Sequence, residues 1–177
     1  MRRSVLFISV VLLLFMGSCG MMQSIVKSTF PYTATLVIPA TAEAGKSYAA
    51  ISLANSFDQN FSPGGNNGNN VSEVSIISAK LKSIDPADYN LGNIKNLKIY
   101  MSAEDSKDEI LVASRRDITP DAGNLMTLDI DNSTFLDKLV RQPSIRIKMV
   151  YELRRRTDAD ANLQLVLSIN AYPAAKK

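Results

Sequence analysis

Ile145-Arg146-Ile147-Lys148-Met149-Val150-Tyr151-Glu152-Leu153-Arg154 is the stretch that decides the fold. Ile145, Ile147, Met149, Tyr151 and Leu153 fall on one face. Arg146, Lys148, Glu152 and Arg154 fall on the other. A repeat of two puts successive side chains on opposite sides of a strand, so one face is dry and the other wet. After the polar stretch Arg155–Ala161, the residues Leu163, Leu165, Leu167 and Ile169 repeat the pattern, and the two segments together predict a β-hairpin.

Working outward, the same period recurs along the chain. Tyr32, Ala34, Leu36 and Ile38 share a face, and Pro39 closes that run. Ala49, Ile51 and Leu53 share another. A strand over Glu73–Ile84 places Ile77, Ala79 and Leu81 on one side and Lys80 and Lys82 on the other, until Asp85-Pro86 breaks it. Leu97, Ile99 and Met101 alternate with Lys98, Tyr100 and Ser102, and the charged run Glu104–Glu109 turns the chain back into Ile110–Ser114. Met126, Leu128 and Ile130 make a further inward row. Two places break the alternation. Leu91 and Ile94 lie three apart, which fits one helical turn. Capping residue types at Asp131-Asn132-Ser133-Thr134, then Phe135, Leu136, Leu139 and Val140, predict a short helix over Ser133–Arg141. The Gly/Asn-rich segment Phe57–Asn70 is a loop.

About eight short strands with polar turns and one or two short helices predict an all-β, antiparallel β-sandwich. Alternation, in place of continuous apolar runs, fits sheets covered on one face. The arrangement resembles the immunoglobulin-like sandwiches at the level of class. Their Cys-Trp-Cys marks are missing, since the chain has one cysteine and no tryptophan.

The beginning of the chain has a different character. Arg2 and Arg3 precede Val5–Phe15, which is apolar at every position but Ser9, and Gly17-Ser18 follow just before Cys19. A basic start, a short apolar stretch and small residues form a secretory signal peptide, too short to span a bilayer as a helix. A cysteine directly after those small residues resembles the lipobox of bacterial lipoproteins, with Met16 standing where that pattern most often has Leu. The resemblance covers the first twenty residues. It implies cleavage before Cys19, a diacylglyceryl group on the Cys19 thiol and acylation of the new amino group, so the expected partner is membrane lipid. It divides the chain into a signal peptide (1–18), a tether (19–30) and a single sandwich domain (31–174). By the same resemblance, Gly20 after the cysteine in place of Asp implies the outer membrane of a Gram-negative cell. The lack of an acidic run in Gly20-Met21-Met22-Gln23-Ser24 implies the periplasmic face.

Composition narrows the chemistry. Loss of Arg2 and Arg3 with the signal leaves 18 basic and 17 acidic side chains, so no basic footprint for nucleic acid remains. With no histidine, Ser-His-Asp and Cys-His catalysis and ordinary zinc sites are excluded, and an acylated Cys19 is no nucleophile. A lone cysteine closes no disulfide within the chain.

Weaker motifs favour bland readings. Asp158-Ala159-Asp160-Ala161-Asn162 begins like a calcium loop but carries Leu163 and Ile169 where that loop needs Gly and Glu, and Asp129, Asp131 and Ser133 fail the same test at Thr134 and Val140. Ser24-Ile25-Val26-Lys27 has the S-x-x-K spacing of penicillin-binding enzymes without their companion motifs. Arg141, Arg146, Lys148 and Arg154-Arg155-Arg156 are candidates for a basic patch, and Tyr100 and Tyr172 for stacking on sugars. No catalytic, cofactor or metal residue is assigned. The expectation is a non-enzymatic binding, adhesive or structural module with a protein partner, the alternative a glycan-binding module. A hydrolase using two carboxylates ranks third.

Overall fold

The computed structural model describes residues 28–55, 71–142 and 144–173. In chain order the strands are β1 (Ser28–Ile38), β2 (Ser47–Asn55), β3 (Val71–Asp85), β4 (Ile94–Ala103), β5 (Ile110–Arg115), β6 (Leu125–Thr127), β7 (Asp129–Ile130), β8 (Ser144–Leu153) and β9 (Ala161–Pro173). They form two antiparallel sheets, one ordered β1-β9-β3-β6 and the other β2-β8-β4-β5-β7. The chain is an all-β sandwich. Inward rows from both sheets, among them Leu36, Leu81, Ile99, Ile147 and Leu167, are fully buried between them. The alternation read from Ile145–Arg154 holds residue by residue: Ile145, Ile147, Met149, Tyr151 and Leu153 are all buried.

The expected hairpin does not form. β8 pairs with β2 and β4, whereas β9 pairs with β1 and β3 in the opposite sheet. The link between them is an arch that crosses the core. Facing strands and hydrogen-bonded strands both need one apolar face, so alternation cannot distinguish them. The intervening polar stretch is long enough to cross the roughly 10 Å between stacked sheets. The hairpin β4–β5 does form, with Leu97 opposite Arg115 and Met101 opposite Ile110.

Three other expectations change. Ile77 is 43% exposed, and Ile76 is buried in its place. A bulge between Ile76 and Ser78 inserts one residue and shifts the phase of the strand, so Val74 and Ile76 point inward before it and Ala79 and Leu81 after it. Met126, Leu128 and Ile130 are not one inward row: β6 joins β3 and β7 joins β5, so the chain changes sheets at Leu128, which alone of the three is fully buried. Ser133–Arg141 is a turn and not a helix. Leu136 accepts from Leu139 and Val140 at 2.9 and 3.0 Å, but the rest of the segment is turned towards β3. There the Asn132 amide bonds both the N–H and the carbonyl of Ile76 (3.0 and 2.8 Å), Leu136 donates to Val74 at 2.8 Å, and Asp137 accepts from Glu73 and Val74. Side chains thus complete an edge that a helix would have left open. The turn at Leu91–Asn93 is a single 3-10 turn, capped by Asn90, whose side-chain oxygen accepts from Gly92 at 2.8 Å.

Candidate functional site

The outward row of β8 runs along the middle of the five-stranded sheet. Its side chains Arg146, Lys148, Val150 and Glu152 are half-buried, because β2 and β4 flank them on both sides. Beside them β4 presents Asn96, Lys98, Tyr100 and Ser102, with Tyr100 opposite Lys148 and Ser102 opposite Arg146. Both strands lie inside the sheet, so this surface is fixed by the ladder beneath it.

Two polar networks occupy it. At one end Glu109, from the charged turn after β4, accepts from Lys148 at 2.7 Å and from Arg146 at 3.4 Å. Arg146 also donates to the Ser102 hydroxyl at 3.1 Å and to the Ser106 carbonyl at 2.8 Å. The three charged side chains keep only 24%, 26% and 27% of their exposure, so the cluster is drier than an ordinary surface ion pair and is correspondingly less screened. The Lys148 ammonium also lies 5.8 Å from the centre of the Tyr100 ring, a cation–π contact. At the other end Glu152 accepts from Lys95 at 3.2 Å and from Asn96 at 3.1 Å. Those donors, Asn96 first, hold its carboxyl below the usual range.

Between the networks is a shallow depression of about 350 Å³, bounded by Ser47, Lys98, Tyr100, Val150 and Glu152. Tyr151 underlies it and stacks on Tyr48, with ring centres 6.0 Å apart. It offers an apolar floor with one cation, one anion and one aromatic ring around it. That composition can hold a polar group of a partner in place, while its one carboxylate, Glu152, lacks the second that glycoside hydrolysis uses.

The sequence candidates separate. Tyr100 borders the depression, but Tyr172 lies on β9 in the other sheet, so the two rings cannot share a ligand. The basic residues do not converge either. Arg146 and Lys148 serve Glu109, while the arginines of the β8–β9 arch are used within the fold. Arg154 donates to the carbonyls of Gly92 and Ile118, Arg155 to the Asn93 side chain, and Arg156 to the Ala40 carbonyl at 2.9 Å. Arg141 donates to the Val71 carbonyl at 3.3 Å. Asp160, from the calcium-like run, accepts from the Ala40 N–H at 2.8 Å. Among the described residues no three acidic or thiol side chains converge on a point where a metal ion could sit, and no helix is long and apolar enough to cross a membrane. Cys19, Ser24, Lys27 and the Phe57–Asn70 loop lie outside the described residues.

Sequence reasoning had Tyr100, Arg146 and Lys148 in view but missed the roles of Glu109 and Glu152. Glu109 was one of several charges in a turn, and only the register of β4 against β8 brings it to Lys148. Compared with known proteins, the chain matches no family model and no curated protein.

Proposed function

We propose that this chain is a cell-envelope lipoprotein, acylated at Cys19, whose sandwich is a non-enzymatic binding module. The observation that carries the reading is the order Arg2-Arg3, apolar Val5–Phe15, Gly17-Ser18-Cys19 ahead of an all-β domain. Each buried methylene of an acyl chain contributes about 0.8 kcal/mol, and more than one chain is needed for stable attachment. The three chains of a lipoprotein cysteine meet that requirement. From Cys19 to the first residue of β1, Ser28, the backbone spans at most about 30 Å when fully extended, so the sandwich is held close to the bilayer. Gly20 and the uncharged residues after it favour the outer membrane and its periplasmic face.

The partner surface is the outer face of the five-stranded sheet, where Lys98, Tyr100 and Glu152 surround an apolar floor on strands that cannot shift independently. A protein partner suits this shallow, charged surface better than a deep-pocket ligand does. Tyr100 keeps a glycan in view as the alternative.

Metabolic labelling with a fatty acid is expected to mark the wild-type protein and not Cys19→Ala. Equal labelling of both would remove the anchor. Copurification in mild detergent is expected to recover a partner that Lys98→Glu with Tyr100→Ala releases. Recovery of the same material with both variants would remove the face, and binding of the wild-type protein to a glycan array would shift the reading to sugars.

A further inference from the structure

Four strands end the two sheets, and three of them are guarded. β6 and β7 have three and two residues, and β1 contains Pro31. Natural sheets protect their edges by shortness, proline, charge or cover, because an open edge is a template for another strand. Among the described residues, β2 has none of these devices. It runs for nine residues, Ser-Tyr-Ala-Ala-Ile-Ser-Leu-Ala-Asn, without a charge or a proline. It is hydrogen-bonded to β8 on one side, and no described strand pairs with the other. The face shared by Ala49, Ile51 and Leu53 is the outer one, and Ile51 and Leu53 are 59% and 54% exposed, among the most exposed large apolar side chains of the described residues.

We propose that β2 pairs antiparallel with β2 of a second copy of this chain, about a two-fold axis through Ile51. The strand is suited to itself. Such an axis sets Ile51 opposite Ile51 and Ala49 opposite Leu53 on the outer face, and Ala50 opposite Ser52 and Tyr48 opposite Ala54 on the inner one. A two-fold pairing brings every residue near its own copy, so a charge at the centre would meet a like charge. β2 carries none, and the cations of its neighbours on β8, Arg146 opposite Leu53 and Lys148 opposite Ile51, are both drawn to the carboxylate of Glu109 on the far side from the β2 edge. The result is one continuous sheet of ten strands across two copies, with a stripe of six apolar side chains over the join. The pairing needs neither the Cys19 anchor nor a ligand in the depression.

The test uses the full chain in native membranes and in mild detergent. Ile51→Cys is treated with a short bismaleimide, beside the parent chain, whose single thiol is Cys19, and beside Lys80→Cys on the outer face of the other sheet. Ile51→Cys is expected to give a crosslinked dimer at least fivefold above both controls. Adding Leu53→Lys, which sits on an exposed face and leaves the circular dichroism unchanged, is expected to return the yield to the control level. A yield equal to that of Lys80→Cys overturns the proposal, whether the edge is open or covered by the chain's own residues. Crosslinking of Ile51→Cys to a different polypeptide also overturns it and gives the edge to that partner.

Discussion

At Gly92 the chain passes so close to the Pro120 carbonyl that a methyl group there would overlap it. Asn90 holds the two segments at that separation, donating to the Pro120 carbonyl at 2.7 Å and accepting from Gly92 and Gly123. The obstacle is backbone, so Gly92→Ala must push one loop away from the other. A loss of about 1–3 kcal/mol is expected in urea unfolding. At Glu152 the charged form is favoured by two donors, and the fold gains from that charge only above the lowered value. As pH falls through it, the gain disappears. Removing the larger contributor with Asn96→Ala is expected to raise the Glu152 titration midpoint, read by NMR, towards the ordinary carboxylate range. Neither feature was visible beforehand. Asn90 is a capping type just ahead of Leu91-Gly92, a local signal that was there to read, but its link to Gly123 crosses thirty-three positions and leaves no trace in spacing.

Among the elements, β3 shows best what a pattern can and cannot say. Its burial on one face was legible from Ala79, Leu81, Lys80 and Lys82. Its bulge was not, because Ile76 and Ile77 are both apolar and either could have kept the alternation. The segment after β7 had every mark of a helix, from its caps to its apolar spacing. One of those caps, Asn132, bonds to β3 instead, and so does Asp137 from within the expected helix. Glu73, with a φ of 52°, sits in a conformation that a side chain disfavours, and Asp137 accepts from its N–H at 2.9 Å. Loss of the amide in Asn132→Ala is expected to lower stability by about 1–2 kcal/mol, with the urea midpoint moving and the slope unchanged. An unchanged midpoint would mean that water replaces the amide at no cost. The distinction between facing and paired strands was beyond the sequence for a related reason: β8 and β9 are each apolar on one side and flanked on two, so each could have been the other's neighbour.

For the molecule as a whole, the fold class was written in the inward rows, which supply most of the core. The site was legible only in part. Charge and aromaticity at Tyr100 and Lys148 were visible, but their convergence depends on strand order. The core also contains titratable groups. Burial pushes the hydroxyls of Tyr89 and Tyr151 up to about 12, in Tyr151 with help from the nearby Tyr89 and Tyr48. Below about pH 10 folded and unfolded chains both keep these protons. Between about 10 and 12 the unfolded chain loses them first, so stability falls as pH rises, by at most about 1.4 kcal/mol per unit for each ring. Chemical denaturation across that range is expected to show the decline, and Tyr89→Phe and Tyr151→Phe to flatten it.

The place of β9 between β1 and β3 orders events in time as well as space. Among the described strands β1 is made first, yet its hydrogen-bonded neighbour is made last. In the other sheet, β2 waits for β8 in the same way. Neither layer can close while the ribosome is still adding these last strands, so a nascent chain has nothing complete to lock into. The emerging polypeptide would stay pliable through most of its synthesis, then close once β9 arrives.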